Sequence, residues 1–339
     1  MPIPVPAPPS RVTLVSHALT AVGLLLVLYL HLLPALLAGL LVYAVVNAMA
    51  PFVQRRLPGA HAHWLVVALL AIIVVGLLTL AVVAMIAFLG SEHGNPSVIF
   101  ERMTPVIERA RAQLPPVLDD YLPANVDEIR AAIMEWLREH AAQLQVVGKT
   151  AARVTVQLLI GMILGGMLAL HTARLRAPGG PLSAALNTRC ATLVGAFHDI
   201  VFAQVKISAL NTMFTALFLL VVLPLFGVHL PLAKTLVVAT FVCGLLPVLG
   251  NLISNTLIFV IGLSVSLWVA VAALAFLIVI HKLEYFLNAR IIGTQIRSRA
   301  WELLIAMLFM EAAFGIGGVI AAPIYYAYLK RELEDAALI

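Results

Sequence analysis

The chain has 339 residues, of which 63% are hydrophobic and 11% charged, with a mean hydropathy of +1.06. A soluble domain of this length carries far more charge, so composition excludes an ordinary globular protein and places the chain in a membrane. The net charge of +5 is spread between apolar runs rather than gathered on one face, which argues against a nucleic-acid partner and for basic residues that set membrane orientation.

A bilayer core about 30 Å thick takes roughly 20 apolar residues in a helix. Residues 12–33 and 34–53 predict two spans, with a sharp turn at His31-Leu32-Leu33-Pro34. No cleavable signal is expected, because the apolar stretch after Arg11 is too long for one and runs into the next. Residues 64–89 predict a third span after the basic loop of Arg55 and Arg56, completing a first region, 1–89. The next region, 90–149, carries nine acidic and six basic residues and has no run long enough to cross. Within it Val126, Ile129, Ile133, Trp136, Leu137, His140 and Leu144 recur at helical spacing, which predicts a helical extramembrane insert.

A third region, 150–205, pairs a fourth span at 152–172 with an amphipathic helix over 173–205. There Leu182, Leu186, Leu193, Phe197, Ile200 and Val201 form one apolar stripe, to lie on the cytoplasmic membrane surface or against the protein itself. The last region, 206–339, reads as the transport core: a fifth span at 207–227, then 233–263, 265–282 and 301–329. Basic residues prefer the cytoplasmic side, and Arg11, Arg55, Arg56 and the 173–206 segment all fall there if the first five spans cross in turn. Lys282, Arg290, Arg297, Arg299, Lys330 and Arg331 join them only if 233–263 and 301–329 each enter and return.

Both of those segments are interrupted at mid-length. The first reads Gly244-Leu-Leu-Pro247-Val-Leu-Gly250-Asn251 and the second Phe314-Gly315-Ile316-Gly317-Gly318, with Pro323 later. Glycine opens unusual backbone angles and proline removes a donor. Non-helical backbone at membrane depth is tolerated only inside protein or along a cavity. The expected fold is therefore all-α and polytopic, with about eight membrane segments, two of them re-entrant or broken hairpins, and a helical extramembrane insert. The order repeats with inverted sense, a pattern that points to a transporter's midplane site, although the same residues also suit two kinked, tilted helices.

Ionisable groups inside a bilayer are costly, about 2.5–3.5 kcal/mol or more at a helix centre. Glu311, beside the second interruption, is the sharpest candidate: it can bind a cation, carry a proton or pair with an amine, or be a structural carboxylate. Asn251, Ser254 and Asn255 follow the first interruption at spacings that share a helix face, suited to binding a solute or Na⁺, or to interhelical hydrogen bonds. Asn211 and Lys206 on span five are weaker candidates. Glu284, Asn288 and Arg290 beyond span seven, and Glu302 at the start of the last segment, fit gate or anchor roles. Gly161, Gly165 and Gly166 suit close helix contact, in the core or between subunits, so a homo-oligomer stays open. No metal site is expected: His61 and His63 have no carboxylate or cysteine partner at ligand spacing. Cys190 and Cys243 read as inert thiols. No nucleotide or hydrolase fingerprint is present, so no cofactor is expected beyond a coupling ion, H⁺ or Na⁺, and any active transport is secondary.

The string from Pro34 to Tyr43, the insert after span three, Leu246-Pro-Val-Leu-Gly250, the string Glu284-Tyr-Phe-Leu-Asn-Ala-Arg-Ile-Ile-Gly293 and that from Gly315 to Pro323 occur in an order that resembles the autoinducer-2 exporter family of bacterial membrane proteins. The resemblance covers nearly the whole chain. It implies a multi-pass permease of the bacterial inner membrane, with export of a signalling molecule or sodium–proton exchange as the family's activities. It draws attention to Pro247, Gly250, Glu284, Asn288, Gly293, Gly315, Gly318 and Pro323. The chain departs from the family pattern at Gly250-Asn251, where Gly-Pro is common. The leading expectation is a secondary transporter of a small organic solute, and the alternatives are a sodium–proton antiporter and an oligomeric scaffold or passive pore.

Overall fold

The computed structural model describes residues 10–56, 61–89, 126–174, 179–245, 249–296 and 299–338. Helices are α1 (Arg11–Tyr29), α2 (Leu33–Gln54), α3 (His61–Leu89), α4 (Val126–Glu139), α5 (Ala141–Arg174), α6 (Pro181–Leu217), α7 (Ala233–Gly244), α8 (Leu249–Val265), α9 (Leu267–Ile296) and α10 (Ala300–Asp335). No strand occurs among the described residues. Six described segments are long and apolar enough to cross a membrane. Large apolar side chains such as Ile72, Leu77, Trp268 and Phe309 point outward, as lipid-facing surfaces require and water-facing ones do not tolerate in such number. The protein is an all-helical, multi-pass membrane protein.

Local chemistry explains the boundaries. Ser10 caps α1 by accepting a hydrogen bond from the Thr13 amide at 3.2 Å. The α1–α2 turn closes with the Leu32 amide donating to Val27 O at 2.8 Å while His31 sits at φ 54°, and Pro34 opens the next helix. Ser266 caps α9, accepting from the Val269 amide at 3.1 Å. One expectation is corrected here. The sequence divides 173–205 from a span at 207–227, whereas α6 runs unbroken from Pro181 to Leu217 and continues as a π-turn at Phe218–Val222. Between Pro181 and Pro224 only Gly195 weakens the helix, so nothing stops it where the apolar pattern changes.

The chain divides into two compact units: Met1–Val74, Lys149–Phe202 and Ile292–Ile339 in the first, Val75–Gly148 and Ala203–Ile291 in the second. In the first, Leu193, Ala196 and Phe197 of α6 pack with Leu24 of α1 and Ile324, Ala327 and Tyr328 of α10. The part of the α6 apolar stripe from Leu193 to Val201 is thus covered by protein, whereas Leu182 is exposed. A second contact seats α5 on α2 with almost no side chain between them. A Cβ on Gly161 would overlap the Ala35 carbonyl, and one on Gly165 would overlap that of Gly39. Small residues four apart on both helices let the backbones touch, so Gly161 and Gly165 belong to the interior of one chain.

The second unit is built around Phe218, Leu219, Leu223, Leu236, Ile258, Val269 and Leu277, with the rings of Phe218 and Phe276 stacked at 4.1 Å between centroids. Here α7 and α8 lie against each other as a helical hairpin, the first helix ending at Gly244 and the second starting at Leu249.

The last helix also turns back on itself. Gly315 has φ 62° and ψ −147°, outside any helical region. The Tyr326 hydroxyl reaches Glu302 Oε2 at 2.5 Å and Lys330 Nζ reaches it at 3.3 Å. In a straight helix those residues would be about 36 and 42 Å from Glu302. Segments 300–314 and 316–335 are therefore two antiparallel arms joined at Gly315.

Candidate functional site

The first candidate site lies wholly in the second unit, where one face of α6 meets the end of α7 and the start of α8. Gln204, Ser208, Asn211 and Thr215 follow one another at steps of four, three and four, so they line a single stripe. Gln204 Nε2 donates to Gly244 O at 2.7 Å, and Ser208 Oγ donates to Phe241 O at 2.7 Å. Both carbonyls lie at the C-terminal end of α7, where a helix leaves its acceptors unsatisfied. Asn211 Nδ2 then donates to Asn251 Oδ1 at 3.1 Å, carrying the stripe across to α8.

Burial makes these bonds consequential. Ser208 and Thr215 are buried, Asn211 is only 7% exposed, and a Cβ on Gly244 would sit 2.6 Å from Ser208 Oγ. Ser254 is buried and turned onto its own helix, donating to Asn251 O at 3.3 Å. Thr212 Oγ1 is buried with no hydrogen-bond partner. The stripe contains amides and hydroxyls, and no ionised side chain enters its three interhelical bonds.

The second candidate region is the Gly315 reversal in the first unit. Phe314 and Met310 of the ascending arm pack with Ile320 and Ala321 of the returning arm. A Cβ on Gly318 would overlap the carbonyl of Met310. The α7–α8 hairpin repeats this seating, since a Cβ on Gly250 would overlap the carbonyl of Cys243. In each case a glycine shortly after the turn lets the returning helix close on a carbonyl of the arm before it. At the far end of the arms, Glu302 caps the first by accepting from the Arg299 amide at 3.3 Å and clasps the second through Tyr326 and Lys330.

The sequence candidates sort accordingly. Asn211 and Asn251, 40 residues apart, are brought into direct contact. Asn255 is half-buried one turn further along α8. Glu311 is exposed on the ascending arm, four residues before Gly315. Gly317 is half-buried, but a Cβ there would meet nothing nearer than Leu33 Cδ2 at 4.0 Å. Pro323 lies within the returning arm. The backbone of Glu284, Asn288 and Gly293 is helical within α9, and Pro247 lies outside the described residues. Gly244 enters the sequence reading only as the start of the first interruption, and Gln204 and Ser208 are not singled out by it. Their signal was available: polar residues at 204, 208, 211 and 215 hold helical period through an apolar run.

A third polar group belongs to the first unit and was also missed. Glu332 on the returning arm is 5% exposed and pairs with Arg189 of α6 and with His17 of α1, while Arg331 pairs with Asp199 of α6. The Arg331 guanidinium passes over Gly195, where a Cβ would lie 2.5 Å from Nη1.

No curated protein and no solved structure matches this chain. A family does: the AI-2E family transporter profile matches residues 14–337, nearly its full length. With that match, the chain belongs to the AI-2E family of transporters.

Proposed function

We propose that this chain is a secondary transporter of a small polar organic solute in the bacterial inner membrane, and that Asn211 and Asn251 take part in recognising it. The observation that carries the reading is the amide–amide bond at 3.1 Å between two buried or half-buried asparagines beside an interrupted helix pair. Amides in lipid-embedded segments are expensive unless they bond to protein or solute. This pair can exchange its mutual bond for bonds to a solute with hydroxyl or carbonyl groups. Thr212 Oγ1 adds a buried hydroxyl on the same helix.

The two chain reversals support re-entrant hairpins within this reading. At 12 residues α7 is about 18 Å long, and the ascending arm 300–314 about 22 Å, both short of a hydrocarbon core about 30 Å thick. Re-entry of both segments also puts the basic residues after 282 and the terminal Lys330 and Arg331 on the cytoplasmic side. Ion coupling is the second reading, supported by Glu311 standing one turn before Gly315, where the backbone leaves the helix. That carboxylate would carry H⁺ or Na⁺ in a sodium–proton exchanger.

Flux in proteoliposomes decides between them, using labelled autoinducer-2 and, separately, a sodium pulse with an internal pH dye. Saturable solute flux is expected, and replacing Asn251 by Leu should lower its efficiency about tenfold or more, the loss of one to two hydrogen bonds. Non-saturable flux would leave a passive pore. Sodium-driven proton movement abolished by Glu311→Gln, with no solute flux, would establish the exchanger instead.

A further inference from the structure

We propose that the junction of α2 and α3 in the first unit is a docking surface for an anionic phospholipid, with Arg55 and Arg56 taking the headgroup phosphate. No Asp or Glu occurs between Met1 and Ser91 or between Ala141 and His198, so α2, α3 and α5 carry no carboxylate. These three helices pack on one another through Val42, Val46, Val66 and Ala169. Gly161 faces Ala35 and Gly165 faces Gly39, so α5 runs parallel to α2 and both end on the side where α3 begins. Arg55, Arg56 and Arg174, the residue that closes α5, thus gather at one end of a bundle that offers them no counter-charge.

On α6 and α10 of the same unit, by contrast, Arg189 pairs with Glu332, Arg331 with Asp199 and Lys330 with Glu302. Among the described residues neither Arg55 nor Arg56 enters an ion pair, and both are exposed. Two fixed positive charges are left for a partner from outside the chain.

Depth and geometry select a lipid as that partner. At 22 residues α2 is about 33 Å long, close to a hydrocarbon thickness of about 30 Å, so the two arginines stand where headgroups lie. Phe52 is 68% exposed one turn before Arg55, and Trp64 is exposed in the first turn of α3, positions that aromatic side chains take at a bilayer interface. The Arg55 guanidinium lies over the Phe52 ring, 5.7 Å from its centre. Stacked there, it keeps its planar fork of donors free for two parallel hydrogen bonds to phosphate oxygens, while the ring stays with the acyl chains. An arginine that only orients the chain needs its charge and no particular lipid, whereas a docking surface distinguishes headgroups. The surface belongs to the first unit and the Asn211–Asn251 stripe to the second, so it does not depend on what is transported.

The test is native mass spectrometry of the delipidated full-length chain in detergent, offered phosphatidylglycerol and phosphatidylcholine with the same acyl chains in equal amounts. The wild type should prefer phosphatidylglycerol by about tenfold or more, and Arg55→Gln combined with Arg56→Gln should erase the preference. Arg11→Gln combined with Arg153→Gln removes the same charge from exposed positions of the first unit and should leave it intact. No headgroup preference in the wild type would overturn the proposal. So would a preference that survives the loss of Arg55 and Arg56, or one that falls equally in the control. Displacement of the bound lipid by excess inorganic phosphate would make this a site for free phosphate and overturn the lipid assignment. Should the double variant fail to fold, Arg55→Gln alone should cut the preference several-fold, and an unchanged preference there would overturn the proposal too.

Discussion

Three glycines that look equivalent in Gly315-Ile316-Gly317-Gly318 do different work. Gly315 holds φ 62° and ψ −147°, a conformation that side chains make costly, so Gly315→Ala should destabilise by about 1–3 kcal/mol. Gly318→Ala should be as damaging for a different reason, since its Cβ would overlap the Met310 carbonyl and force the arms apart. Gly317→Ala should be nearly silent, because the nearest side-chain atom is 4.0 Å away. Thermal unfolding of the three purified variants in detergent checks this order, and a Gly317 variant as unstable as the other two would contradict it. The residue pattern announced an interruption but could not rank its glycines, because overlap with Met310 depends on where the chain goes after the turn. Asn251 was legible as a polar residue in an apolar run, and Asn211 likewise. That they bond to each other was not, since 40 residues separate them. The grouping of His17, Arg189 and Glu332 was still further from view: no periodicity links residues separated by 143 and 315 positions.

Between helices, backbone contact and polar stripes carry the specificity that an apolar environment cannot. With lipid as apolar as the side chains, close packing and hydrogen bonds must select the partner surface. The α2–α5 contact does so through Ala35, Gly39, Gly161 and Gly165. Gly161→Leu should lower the thermal midpoint of the purified chain, at a cost of about 1–3 kcal/mol or more from overpacking, whereas Gly76→Leu, with nothing within 4 Å of its Cβ, should not. The α6 stripe uses side chains instead, and Ser208→Ala leaves the Phe241 carbonyl without its donor, at about 1–3 kcal/mol. Element lengths were readable from hydropathy because span length is set by bilayer thickness. The junction within α6 was misplaced because hydropathy changes there while helix propensity does not. Reversal at Gly315 has its own check. Spin labels at Trp301 and Leu329, both exposed, would be about 42 Å apart on a straight helix and should measure far less across two antiparallel arms.

For the whole molecule, charge distribution and chain reversal constrain one another. Arg11 and the Arg55-Arg56 loop flank the first two spans, and Lys330 and Arg331 stand near the end of the chain. Orientation by basic residues asks that these share the cytoplasmic side. An unbroken crossing by α10 would separate Lys330 and Arg331 from Arg297 and Arg299, whereas a segment that reverses at Gly315 keeps all four together. The same reasoning applies to α7 and α8, whose shared turn returns the chain before α9 and its Lys282. Single cysteines in a cysteine-free background test this by labelling from either face with an impermeant thiol reagent. A cysteine at Arg297 should label from the cytoplasm, one at Asn251 from the outside and one at Gly317 from the cytoplasm. External labelling at Arg297 would mean that α7–α8 crosses outright. The inverted order of the two hairpins would then fail, and with it the support that re-entry lends to a transport site, while the Asn211–Asn251 bond would remain as an interhelical contact.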